Sequence, residues 1–115
     1  MSKVEEKEKV NTFRFSVPAR LITNDVRNFA ITCSDMTNLY ARKNHDYGDS
    51  FNKGMTDIGM AYGAGRLYDK INRIVSLLKN KAEVNDESIK DTLLDLACYS
   101  VMTYNFIVKN ESDNS

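Results

Sequence analysis

Asp95 is a single carboxylate inside the run Leu93-Leu94-Asp95-Leu96-Ala97-Cys98-Tyr99-Ser100-Val101-Met102, a segment otherwise fit for the core of a helix. An ionised carboxylate withdrawn from water is costly unless a cation, a metal or several hydrogen-bond donors face it. Asp91 lies one helical turn earlier, so the two acids share a helix face. Arg66, Lys70 and Arg73 follow i, i+4, i+7 spacing and form one basic stripe, with Asp69 at its edge. If the two segments pair as an antiparallel hairpin, stripe and acids come face to face. Two readings then stand. In one, interhelical ion pairs fix the register of the helices. In the other, Arg66, Lys70 and Arg73 grip phosphate oxygens, while Asp69, Asp91 and Asp95 hold a divalent cation such as Mg²⁺ or a ribose hydroxyl.

A second constellation is His45-Asp46-Tyr47-Gly48-Asp49-Ser50-Phe51, which gathers the only histidine, two carboxylates and two aromatic rings within seven residues. Asp and Ser shape turns and cap helices, so a structured turn accounts for it. It also suits a binding loop in which Tyr47 or Phe51, or Tyr99 from the distal segment, stacks on a base, and His45, Asp46 or Asp49 contacts a sugar or metal. One histidine with two aspartates lacks the ligand count of a structural zinc site. The chain has no nucleophile elbow, Walker loop, CxxC or HExxH motif, and Gly63-Ala64-Gly65 is too short for a dinucleotide fingerprint. The Tyr62–Tyr68 glycines either form a turn leading into a helix or admit a phosphate at its N-terminus.

Positioning these groups requires helices. No Gly or Pro occurs from Arg20 to Lys43, where Leu21, Val26, Phe29, Ile31, Cys33, Met36, Leu39 and Tyr40 approximate an apolar stripe. This predicts a first helix near 20–43. All five glycines fall between Gly48 and Gly65, which marks 44–58 as an irregular loop. A second helix is expected near 60–80, with Leu67, Ile71, Ile74, Val75 and Leu78 on its apolar face. A third is expected near 85–109, opened by Asp86 and Glu87 at the positive end of the helix dipole and closed by the ESDNS tail. The fold expected is all-α, with three main helices in a bundle, the last two as an antiparallel hairpin. Phe13, Phe15 and Val17 alternate with polar residues as a short extended N-terminal arm ending at Pro18. The expected division is a flexible segment 1–12, one helical domain 13–109 and a flexible tail 110–115.

Composition narrows the classes. The chain has 115 residues, 42% hydrophobic and 28% charged, which suits one globular domain small enough to gain from homo-oligomerisation. Sixteen basic and sixteen acidic residues cancel, so no global field recruits nucleic acid or an anionic membrane. Cys33 and Cys98 read as reduced core thiols, although a bridge between them is open on sequence alone. No apolar stretch resembles a secretory signal or a transmembrane span, which makes the cytoplasm the expected compartment.

Three ordered segments, Lys43-Asn-His-Asp-Tyr-Gly-Asp-Ser-Phe51, Arg66-Leu-Tyr-Asp-Lys-Ile-Asn-Arg73 and Asp86-Glu-Ser-Ile-Lys-Asp-Thr-Leu-Leu-Asp-Leu-Ala97, resemble the nucleotide modification associated domain 1 family. This family of small phage and bacterial proteins implies a link to nucleotide or modified-base metabolism, and a bacterial host cytoplasm if the chain is phage-encoded. More distantly, the hairpin resembles the MazG-like all-α nucleoside-triphosphate pyrophosphohydrolases, which bind Mg²⁺ through EExxE and ExxD clusters. Laid onto this chain, the first cluster falls on Asp69, Lys70 and Arg73, so only Asp69 stays acidic. The second falls on Glu87, Ser88 and Asp91, or on Thr92 and Asp95. Bases therefore replace acids where the cation would sit. The expectation is a nucleotide-binding protein, one that sequesters a host nucleotide signal. The alternatives are a Mg²⁺-dependent nucleotide pyrophosphohydrolase and an inhibitor that binds a host protein.

Overall fold

A computed structural model describes residues 16–47, 49–80 and 86–113 of the chain. Within them a 3-10 turn at Ala19–Leu21 is followed by four α-helices: α1 (Asn24–Tyr47), α2 (Ser50–Ile58), α3 (Met60–Lys79) and α4 (Asp86–Asp113). No strand is present among the described residues, and no helix there is long and apolar enough to cross a membrane. Of the expected extended arm, Phe13–Phe15 lies outside the described residues, and Ser16–Pro18 has no regular secondary structure. Two compact units divide the chain inside α1, between Ser34 and Asp35. The first contains the 3-10 turn and the start of α1. The second contains the rest of α1 and all of α2, α3 and α4.

Helix α1 begins later than the apolar periodicity predicts. Pro18 fixes an extended backbone, its carbonyl accepts from the Leu21 N–H at 2.9 Å, and the chain turns once before the α-helix starts. Thr23 then accepts the Val26 N–H on its Oγ1 at 3.1 Å, as an N-terminal cap does. At the far end, α4 runs through Asp113, past the point where the polar tail was expected to stop it.

The largest correction concerns 44–58, which is not a loop. Helix α1 continues to Tyr47, and α2 occupies Ser50–Ile58. Asp49 makes the break between them with φ 62° and ψ 36°, a left-handed conformation that Asp tolerates better than most residues. Its Oδ1 accepts a hydrogen bond from Asn52 Nδ2 at 2.9 Å. Gly59, at φ 95° and ψ −161°, makes the break between α2 and α3, where a Cβ would be strained. Gly54 and Gly63 have a different role, that of close approach. A Cβ on Gly54 would lie 2.5 Å from the Tyr62 ring, and one on Gly63 would lie 3.1 Å from Met55 Sδ and 3.2 Å from Thr103.

The second unit packs through these contacts. Met55 is 2% exposed and Phe51 8%, and they are the buried hydrophobic residues of the described chain. Phe51 lies with its ring centroid 5.7 Å from Tyr62 and 5.9 Å from Tyr99, so α2 is held against both α3 and α4. Gly63 approaches Thr103 while Lys70 reaches Asp95, a pairing in which α3 and α4 run antiparallel, as the short connection predicts. Thr92 and Thr103 are buried on α4 with their hydroxyls donating at 2.7 Å to the Ser88 and Tyr99 carbonyls, which leaves no unsatisfied polar atom there. The predicted apolar face of the second helix divides in two. Leu67 and Ile74 are half-buried, whereas Ile71, Val75 and Leu78 are exposed.

Two glycine substitutions in these helices have opposite expected signs. Gly54→Ala drives a Cβ into the Tyr62 ring and should destabilise by about 1–2 kcal/mol, overpacking exceeding the ~1 kcal/mol gain in helix propensity. Gly65→Ala points into open space within α3 and should stabilise by about 0.5–1 kcal/mol. Urea midpoints at equal m-value distinguish them, and a stabilising Gly54→Ala would contradict the close approach described.

Candidate functional site

Helices α1, α2, α3 and α4 surround a cleft of about 240 Å³ in the second unit. Its charged wall is Lys43 from α1, Lys70 from α3 and Asp95 from α4. Lys70 Nζ lies 3.3 Å from one Asp95 oxygen and Lys43 Nζ lies 3.6 Å from the other. The carboxylate that the apolar run left in need of a partner therefore has two, from two different helices. Two ammonium groups against one carboxylate leave one net positive charge. The aromatic wall is Phe51, Tyr99 and Tyr40, and Lys70 Nζ stands 5.8 Å from the Tyr99 ring centroid. Asn44 and Ser50 add polar atoms, and Leu39, Cys98 and Met102 complete the apolar floor.

Cys98 titrates upward from the usual thiol range. Burial is the main cause, the Asp95 charge raises it further, and Lys43 opposes both. The thiol is therefore in its protonated, weakly nucleophilic form at neutral pH. Cys33 and Cys98 are each half-buried, and neither is part of a disulfide.

Of the expected site residues, the fold brings Lys70, Asp95 and Tyr99 together. Arg66 turns instead along its own helix, pairing with Asp69 at 3.1 Å and lying 5.5 Å from the Tyr62 ring centroid. Its Nε is shielded from solvent without a hydrogen-bond partner. Arg73 is exposed, as is Asp91. The proposed Mg²⁺ set of Asp69, Asp91 and Asp95 is thus not assembled: Asp69 faces Arg66 and Asp95 faces lysines. Among the described residues no three His, Cys, Asp or Glu side chains are grouped to hold a metal ion. His45 is exposed in the last turn of α1, and Asp49 serves the α1–α2 break. The side chains of Asp46 and Tyr47 lie outside the described residues.

Lys43 is the residue that sequence reasoning missed. It heads the first resemblance segment, two residues before His45, but only the approach of the last turns of α1 to α4 brings it to Asp95. Phe51 was considered for stacking on a ligand and proves to be a core ring that forms part of the cleft wall.

The model of the nucleotide modification associated domain 1 family matches residues 43–105. That span opens at Lys43 and takes in every charged group of the cleft. The chain belongs to this family. No curated protein and no solved structure gives a significant match to it. In this nucleotide modification associated domain 1 protein, the matched span also contains Gly54, Gly63 and Thr103, so the close helix contacts and the cleft fall inside one family unit.

Cys98 offers a direct probe of the cleft charges. In a Cys33→Ser background, the pH profile of iodoacetamide alkylation should lie above that of an unfolded control, because a raised pKa lowers the thiolate fraction at any given pH. Asp95→Asn removes one raising charge and should move the profile down, whereas Lys43→Met removes the lowering charge and should move it up. A profile that neither substitution shifts would contradict the arrangement.

Proposed function

We propose that this protein binds a nucleotide in the cleft and holds it without turnover. Lys43 and Lys70 take phosphate oxygens, Tyr99 presents its ring to the base, and Asp95 sets the two ammonium groups side by side and accepts a ribose hydroxyl. The observation that carries this reading is the convergence of Lys43 and Lys70 on Asp95, at 3.6 and 3.3 Å, in a cleft walled by aromatic rings. Ammonium groups are suitable partners for phosphate, and base–aromatic stacking is worth ~1–3 kcal/mol. The family's description, which ties it to nucleotide modification, supports the ligand class. At about 240 Å³ the cleft is smaller than the ~300–1,000 Å³ of drug-sized pockets, so the nucleotide meets Lys43, Lys70, Asp95 and Tyr99 at the cleft while part of it stays in solvent. A ligand held without turnover is sequestered, and a phage-encoded protein would in this way withdraw a nucleotide signal from its host.

Binding is preferred over hydrolysis because metal-assisted phosphoryl chemistry needs grouped carboxylates. Here positions 70 and 73 are cationic, and Asp95 already faces two lysines.

Calorimetric titration against a panel of nucleotides should find a ligand whose affinity falls as salt rises. Lys43→Glu with Lys70→Glu should weaken it at least a hundredfold, since each charge-assisted hydrogen bond is worth about 1.5–3 kcal/mol. Tyr99→Phe should retain most of the affinity and Tyr99→Leu should lose about tenfold. Sustained pyrophosphate release with Mg²⁺ that disappears in Asp91→Ala or Asp95→Ala would show an enzyme instead.

A further inference from the structure

We infer that a second copy of this chain docks on the α3–α4 face opposite the cleft. Lys70 marks the cleft flank of α3, and Asp95, Cys98 and Met102, spaced i, i+3, i+7, mark that of α4. Both flanks border one cleft, so the opposite flanks of the antiparallel pair also share one side. On α3 that flank carries Tyr68, Ile71, Val75 and Leu78, which are 65%, 48%, 42% and 54% exposed. On α4 it carries Leu93, Val101, Tyr104 and Val108, at 49%, 50%, 67% and 41%. Together these eight residues, backbone and tyrosine hydroxyls included, leave on the order of 800 Å² in water, and one partner of a standard-size interface contributes ~800 Å². So many exposed large apolar side chains on one side of a helix pair are uncommon on a monomer.

Three further observations select a copy of the same chain as the occupant. The row Ala64, Tyr68, Ile71, Val75, Leu78 is spaced by four, three, four and three residues, the pattern that seats helix against helix in a bundle. Two antiparallel hairpins related by a two-fold axis would complete such a bundle, with each row serving as both knob and hole. No charged residue falls within either row, and exposed Lys90 stands only at the end of the α4 row, one turn before Leu93. The chain's formal charge is zero, so two copies meet without net repulsion. The need is physical as well. Phe51 and Met55 are the buried hydrophobics of the described chain, and the Leu, Ile and Val side chains of α3 and α4 all stay at least partly exposed within one copy.

Sedimentation velocity of the full chain between 1 and 100 µM tests this. The expected species has twice the 13.1 kDa mass of one chain. Tyr68→Ala and Tyr104→Ala truncate exposed rings, which a single folded chain tolerates, and each should raise the dimer dissociation constant at least tenfold. Ile71→Asp with Tyr104→Asp should give the single-chain mass with helical circular dichroism retained. A single-chain mass for the wild type throughout would overturn the inference and leave the face to a different protein. A dimer whose dissociation constant both alanine variants leave unchanged would overturn it equally.

Discussion

The Asp95 carboxylate stands in an otherwise apolar run of α4, and the second unit places two cations within 4 Å of it. Lys70 reaches it across the α3–α4 hairpin and Lys43 reaches it from α1. Such a triangle restricts how the three helices can sit, because sliding either neighbour by one turn, ~5.4 Å, would carry an ammonium group out of range. The same triangle gives the cleft its charge. Register and chemistry therefore depend on one carboxylate, and the two readings of the sequence, structural ion pair and ligand site, are not exclusive.

The ion pairs are only one requirement, since charged groups meet across helices only if the backbones approach closely. Small residues allow that approach. Gly63 lies against Thr103, Gly54 lies under the Tyr62 ring, and Thr92 and Thr103 turn their hydroxyls back to their own helix and present little bulk to the neighbour. Phe51 then fills the remaining space between Tyr62 and Tyr99. The core is thus made of aromatic contacts and close backbone approach more than of aliphatic bulk, and most of the Leu, Ile and Val side chains of α3 and α4 are left at least partly exposed.

This economy explains what could be read from the chain. The helical class, the hairpin and a partner for Asp95 followed from periodicity, a short connection and the cost of an unpaired carboxylate. Helix α2 did not, because glycine marks both turns and close contacts, and only the three-dimensional neighbour tells Gly54 and Gly63 from Gly59. Lys43 was invisible as a partner for Asp95, since the approach of the end of α1 to α4 depends on packing that no local pattern encodes. Arg66, Arg73 and Asp91 were placed near the site by spacing alone. Their helices do pair, but side chains to either side of the contact line choose local partners or solvent. The split of α3's apolar positions between core and surface was also hidden, because periodicity reports that residues are apolar, not which of two faces a neighbour covers.

A double-mutant cycle tests most directly whether Asp95 organises the helices. Urea unfolding of the wild type, Lys70→Met, Asp95→Asn and the double variant yields the coupling energy between the two side chains. The pair is 27% and 30% exposed, more shielded than surface ion pairs worth ~0.2–1 kcal/mol, and so a coupling of at least about 1 kcal/mol is expected, with a smaller value for Lys43, whose side chain is 53% exposed. Additivity within about 0.3 kcal/mol in this cycle and in the matching Lys43→Met/Asp95→Asn cycle would show that the carboxylate and the lysines are neighbours without being coupled, and would contradict the account.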